Sequence, residues 1–205
     1  MAVRAAEGVA ATALKNVMQR VQQAAERASR PVSQVRIVAV SKTKPVSLLQ
    51  EIYDAGHRHF GENYVQEIIE KAPQAANHLE RAVAGLGRSP LKVLVQVNTS
   101  GEESKSGVEP SECVELAKHV KLECPNLVFS GLMTIGNPDY TSTPENFKCL
   151  SSCRDKVCEE LQIPPEECEL SMGMSGDFEM AIEMGSTNVR VGSTIFGARE
   201  YPKKT

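Results

Sequence analysis

Apolar residues recur along this chain in two rhythms that take turns. From Glu7 to Ser29, Leu14, Val17, Met18, Val21 and Ala25 fall at the spacing of one helix face, and Pro31 ends the run. Val35–Lys42 follows, short, β-branched and apolar on both faces, as a covered parallel strand requires. Pro45 opens a helix through Leu48, Leu49, Ile52 and Tyr53, which Gly56 ends. His59–Asn63 reads as a second strand, and Val65, Ile68, Ile69 and Ala72 as a helix closed by Pro73. The alternation then fails. A helix carrying Leu79, Ala82, Val83 and Leu86 starts almost at once, with no strand before it. After Gly87 the rhythm resumes with a strand over Lys92–Asn98 and a polar loop over Thr99–Glu109. A helix with Pro110 in its first turn carries Cys113, Leu116, Ala117 and Val120. Val128–Ile135 is a strand, and a turn-rich loop covers Asn137–Ser142. Thr143-Pro144 starts the next helix, with Phe147, Leu150, Val157 and Leu161 on it. A strand over Leu170–Met174, a short helix over Asp177–Met184 and a strand over Asn188–Ile195 complete the pattern.

Six strands, nearly all followed by helices, give an α/β fold with a parallel sheet. The simplest organisation is one domain over residues 1–205, with the helix of residues 1–30 packed on it. Two architectures fit, a (β/α)8 barrel and an open doubly wound sheet. Neither G-x-G-x-x-G nor G-x-x-x-x-G-K follows the first strand, which lowers the second.

Composition narrows the function classes. The chain has 205 residues, 41% hydrophobic, with 23 Lys plus Arg against 26 Asp plus Glu for a net charge of −3. That balance lacks the basic stripe of a nucleic-acid protein. Aromatic residues make up 4% and Trp is absent, which argues against a base-stacking platform. No apolar run approaches the roughly 20 residues of a membrane span, and Glu7 interrupts any signal-peptide core. The six cysteines form no C-x-x-C pair and read as small buried hydrophobes rather than metal or redox ligands. A cytoplasmic location and no metal are the expectation.

Three features could carry chemistry. Lys42 closes the first strand in alternation with Arg36, Val38 and Val40, so it would point into the mouth at the strands' C-terminal end, where barrel sites gather. A lysine desolvated there can condense with an aldehyde, whereas Lys44, in the loop, reads as solvated. Gly185-Ser186-Thr187 and Gly192-Ser193-Thr194 flank the last strand, and the second copy, with Ser171–Gly176 upstream, could wrap one phosphate with backbone N–H groups and hydroxyls. Arg190 lies in that strand where an apolar residue is expected, so it needs an acceptor or an anion. Asn63 and Asn98 end strands and could also face the mouth. His57, His59, His78 and His119 show no ligand spacing. An aldehyde-reactive lysine, a phosphate nest and an arginine in one mouth fit pyridoxal 5′-phosphate (PLP), and a sugar phosphate in a Schiff-base lyase nearly as well.

These blocks resemble a known family. Val38–Pro45, Phe60–Glu67, Asn98–Glu102, Gly131–Gly136, Leu170–Ser175 and Gly185–Gly197 are similar, in order, to the pyridoxal phosphate homeostasis protein family. The resemblance implies a barrel of the alanine racemase N-terminal-domain type that binds PLP. It makes Lys42 the Schiff-base lysine and sets Asn63 at the cofactor. Ser175, Gly192, Ser193 and Thr194 would hold the phosphate, and Arg190 would face the pyridine nitrogen. A cation there discourages protonation of that nitrogen. The racemase takes a catalytic tyrosine from a second domain, for which 205 residues leave no room. The implied role is therefore a monomeric PLP carrier or buffer without turnover, binding other B6 vitamers and passing PLP to apo enzymes. A PLP-dependent racemase is the alternative. Between Gln74 and Ala75 the family pattern has roughly 40 more residues, holding about two strands and a helix, and two strands would bring six to the eight of a barrel. We expect a segment omitted from the sequence as written rather than a deletion.

Overall fold

The computed structural model describes residues 8–42, 44–61, 80–81, 83–85, 87, 89–101, 107–136 and 143–198. Helix α1 is Val9–Arg27, and it buries Ala10, Ala11, Leu14, Val17, Val21, Ala24 and Ala25. Met18 leaves the predicted stripe and is 50% exposed. It is turned about 100° from Val17, and alanines, which allow close approach, fill the interface in its place. The order continues β1 (Arg36–Val40), α2 (Val46–Asp54), β2 (Phe60–Gly61), β3 (Leu91–Gln96), α3 (Cys113–Glu123), β4 (Leu127–Met133), α4 (Thr143–Leu161), β5 (Glu169–Ser171), α5 (Phe178–Glu183), β6 (Asn188–Val191) and α6 (Ser193–Phe196).

The largest boundary differences from the periodicity are at α3, β5 and β6. Pro110 lies in the turn before α3 rather than inside it. The strand expected to reach Met174 ends at Ser171, and the one expected to reach Ile195 ends at Val191. In both cases small residues turn the chain, and in the second Ile195 and Phe196 are buried from a helical turn. The junction between Gln74 and Ala75 and the expected helix over Val65–Ala72 lie outside the described residues.

Among the described residues six strands form one parallel sheet in the order β2-β1-β6-β5-β4-β3. From β3 to β6 every step moves the same way across the sheet, and β1 to β2 continues in that direction after β6. Right-handed crossovers then place all helices on one face, which is barrel winding. A doubly wound sheet reverses direction and carries helices on both faces. First and last strands pair directly, Arg36 with Asn188 through Ala39 with Val191, as ring closure requires. Among the described residues β2 and β3 are the two edges of this sheet, and the chain between them is where the sequence pattern lacks its strands.

Two apolar clusters lie between the helices and this sheet. One packs α3 and α4 on β3, β4 and β5, with Val95, Leu132, Phe147, Leu150 and Leu170 at its centre. The other packs α1, α2, α5 and α6 on β1 and β6, around Val17, Val21, Ala39, Ile52, Phe178 and Val189. Five of the six cysteines are buried and none is in a disulfide. Cys113 and Cys153 hydrogen-bond to each other, which brings the Cys113 thiol down to about 7 and pushes Cys153 up.

Candidate functional site

Strand alternation sorts the side chains. Ile37 and Ala39, Val189 and Val191, and Leu170 and Met172 pack against the helices. Their neighbours Val38 and Val40, Asn188 and Arg190, and Glu169 and Ser171 therefore face the inner side. At the strands' N-terminal end that side holds a polar layer. Arg36 grips Glu169 through both terminal nitrogens at 2.8 and 2.9 Å, and the Asn188 amide lies 3.5 Å from the same carboxylate.

Arg190 sits further up the same face. Its Nη1 donates to Ser171 O at 2.9 Å and Ser171 Oγ at 2.8 Å, and its Nη2 donates to Thr134 O at 2.7 Å. A single guanidinium thus ties the C-terminal ends of β6, β5 and β4. Desolvation lowers its pKa to about 10, opposed by the charge of Asp177, so it stays a cation at neutral pH. A guanidinium has five donors, and these three bonds leave donors for a further acceptor.

One strand end away, backbone donors converge. Gly192 N–H and Thr194 N–H both point to Ser175 Oγ, at 3.2 and 3.4 Å. At Gly192 a Cβ would come 3.3 Å from Val40 O, so the absence of a side chain lets β6 close on β1. The loop carrying Ser175 begins at Gly173, whose φ of +95° suits glycine. A Cβ there would lie 2.5 Å from Ala181 Cβ and 3.0 Å from Phe178 Cα. The Gly173 carbonyl accepts from Arg190 N–H at 3.0 Å, which joins the loop to the strand that bears the arginine.

Lys42 leaves the end of β1, next to β6, just after Ser41, whose N–H donates to Gly61 O at 2.9 Å. Lys44 Nζ donates to Ala198 O at 2.7 Å, so this loop lysine has a backbone partner rather than water alone. The structure thus brings Lys42, Arg190, Ser175, Gly192, Ser193 and Thr194 to the C-terminal ends of three adjacent strands, β1, β6 and β5. Asn63 lies outside the described residues. Asn98 is buried at the end of β3, where Ser100 Oγ donates to its Oδ1 at 3.2 Å. It is separated from β6 by β4 and β5. His57 is half-buried, its Nε2 2.8 Å from His59 O, and burial lowers its pKa. Among the described residues no group of three or more His, Cys, Asp and Glu side chains could hold a metal ion, and no helix is long and apolar enough to cross a membrane.

Periodicity gave no reason to single out Thr134, Ser171 and Asp177. Thr134 acts through its carbonyl, which no side-chain pattern encodes. Ser171 was read only as part of a small-residue loop. Asp177 is the first residue of the short helix that the periodicity predicts over Asp177–Met184, whereas in the structure it precedes α5 and accepts a loop N–H instead.

Residues 71–200 match the family model for the alanine racemase N-terminal domain. A human pyridoxal phosphate homeostasis protein is 45% identical over 240 residues, covering 94% of this chain and 87% of that protein. That alignment is longer than this whole chain, so the human protein carries a stretch with no counterpart here. Among solved structures, PipY of Synechococcus elongatus with PLP bound is 30% identical, with a TM-score of 0.61, covering 88% of this chain and 100% of PipY. Alanine racemase of Corynebacterium glutamicum shares the fold at a TM-score of 0.61 and 14% identity, over 92% of this chain and 62% of the racemase. At 45% identity over nearly the whole of this chain and most of its human relative, the chain belongs to the pyridoxal phosphate homeostasis protein family.

Proposed function

We propose that this chain binds PLP at the C-terminal mouth of its sheet and serves PLP homeostasis as a carrier, without turnover of its own. The observation that carries this reading is the placement of a lysine, converging N–H donors with a serine hydroxyl, and a charged arginine on three adjacent strand ends. The donor set fits the cofactor. Gly192 N–H, Thr194 N–H and the Ser175 hydroxyl suit phosphate oxygens, with Ser193 beside them. Arg190, a cation at neutral pH, suits a ring nitrogen and would disfavour a proton on that atom. Bound PLP supplies an aldehyde that condenses reversibly with amines, and the Lys42 amine is the group placed to hold it. Asn63 completes the set by resemblance to the family.

The PLP named in the PipY structure supports the reading, as does the homeostasis name of the human relative. A carrier needs retention and release rather than a second catalytic group. We assign it PLP and other B6 vitamers as ligands, apo PLP enzymes as recipients, a monomeric state and a cytoplasmic location. The test is borohydride reduction of the purified chain with PLP, followed by peptide mass spectrometry. The expected outcome is one reduced adduct on Lys42, absent in Lys42→Ala, and no racemisation of alanine or serine. A chain that takes up no PLP refutes the reading, and racemisation abolished by Lys42→Ala would make it an enzyme. The same peptide map reports the sequence that joins Gln74 to Ala75.

A further inference from the structure

Asp177 occupies the position just before α5, yet its carboxylate does not cap that helix. It turns back instead, and Oδ1 accepts the N–H of Met174 at 2.6 Å. Two backbone bonds close the same turn, Asp177 N–H and Phe178 N–H to Met174 O at 3.2 and 2.9 Å. Ser175 and Gly176 form the tip of this turn, and Ser175 Oγ is where the N–H groups of Gly192 and Thr194 converge. The carboxylate is half-buried. Burial raises its pKa, while the Met174 N–H and the charge of Arg190 act to hold it ionised. An acid kept in a partly desolvated place, and diverted from helix capping to a loop bond, is spent on the loop.

Resting on the PLP reading above, we infer that Asp177 is a positioning residue for phosphate recognition: it fixes the turn that presents the Ser175 hydroxyl to the cofactor's phosphate. It touches no cofactor atom itself. The role requires an oxygen acceptor at the Oδ1 position, and it does not require the charge. Asparagine therefore preserves it and alanine does not. Because the effect acts through the phosphate, it separates PLP from pyridoxal, which has the same ring and aldehyde without the phosphate.

The experiment measures equilibrium binding of PLP and of pyridoxal to the wild-type chain, Asp177→Ala, Asp177→Asn, Ser175→Ala and the Asp177→Ala/Ser175→Ala double variant. Losing one hydrogen bond that orders the serine corresponds to about threefold to tenfold weaker PLP binding in Asp177→Ala. Pyridoxal binding should stay within about twofold, and Asp177→Asn should restore the PLP preference. In the Ser175→Ala background, Asp177→Ala should add less than about twofold, since the group it positions is gone. If PLP and pyridoxal weaken equally, or Asparagine fails to rescue, or the two substitutions simply add, the role of Asp177 is overturned while the PLP reading stands. If the wild-type chain binds neither compound, the PLP reading falls and takes this role with it. Should Asp177→Ala not fold, the Asp177→Asn and Ser175→Ala arms still decide: an Asparagine variant that loses the PLP preference overturns the role.

Discussion

Gly173→Ala perturbs both the packing and the site, and the backbone and neighbours of Gly173 set its cost. The backbone there has φ +95°, outside the range an L side chain favours. Holding an alanine in such a left-handed conformation costs about 1–2 kcal/mol. The added methyl would also lie 2.5 Å from Ala181 Cβ, well inside the roughly 3.5–4.0 Å of a carbon–carbon contact. Helix α5 has little room to retreat. Phe178, Ala181 and Ile182 are fully buried, and α1 clasps the far side of the helix through Arg20–Glu179 at 2.8 Å and Arg27–Glu183 at 2.6 Å. Overpacking of this kind costs about 1–3 kcal/mol. The sum is about 2–5 kcal/mol out of a total domain stability of order 5–15 kcal/mol, or a fall in Tm of roughly 5–15 °C for a chain this size. Thermal and urea unfolding followed by circular dichroism measure it. Ala181→Gly removes the nearest clash but costs about 1 kcal/mol of helix propensity. The double variant should therefore show a favourable coupling of at least about 1 kcal/mol. A Gly173→Ala chain within about 0.5 kcal/mol of wild type, or a coupling of zero, would refute the packing geometry argued for this loop.

Two further predictions bear on the site and its support. Arg190→Met removes the bonds to Ser171 and Thr134 and leaves their carbonyls without the guanidinium, so the cofactor-free chain should lose about 2–3 kcal/mol in urea unfolding; PLP retention on a desalting column should fall as well, and unchanged retention would move Arg190 away from the cofactor. Glu179 is held below its usual pKa first by its hydrogen bond to Arg20, and a depressed carboxylate contributes stability above its unfolded pKa that fades as pH falls through the folded value. With both side chains more than a third exposed, solvent screening limits the pair to about 0.5 kcal/mol. Glu179→Gln should cost that much at pH 7, and the cost should approach zero once pH has fallen through the lowered Glu179 pKa, measured as urea midpoints across that range.

The sequence by itself determined the fold class, because period and composition are local. Alternating strand and helix rhythms, with apolar strands such as Arg36–Val40 and Asn188–Val191, require a covered parallel sheet. Lys42, Arg190 and the Gly192-Ser193-Thr194 run stood out because each breaks an apolar pattern at a strand end, where a parallel sheet opens its mouth. The deficit of strands near Gln74 was also legible, as a missed beat in that alternation. Winding was not. Barrel and doubly wound sheets use the same local units, and only the pairing of β1 with β6, remote in sequence, with every step in one direction, separates them. Nor could periodicity place Met18 outside the α1 stripe, since the choice between Met18 and the alanines depends on how closely α1 meets α2, α5 and α6. The partners of Arg190 are the carbonyls of Ser171 and Thr134 and the Ser171 hydroxyl, a choice set by register between strands rather than by spacing along the chain. Asp177 shows the same limit from the other side. Its position before α5 is that of a helix cap, and only the turn imposed by Gly173 brings Met174 N–H within its reach, because a hydrogen bond answers to distance in space and a sequence records only distance along the chain.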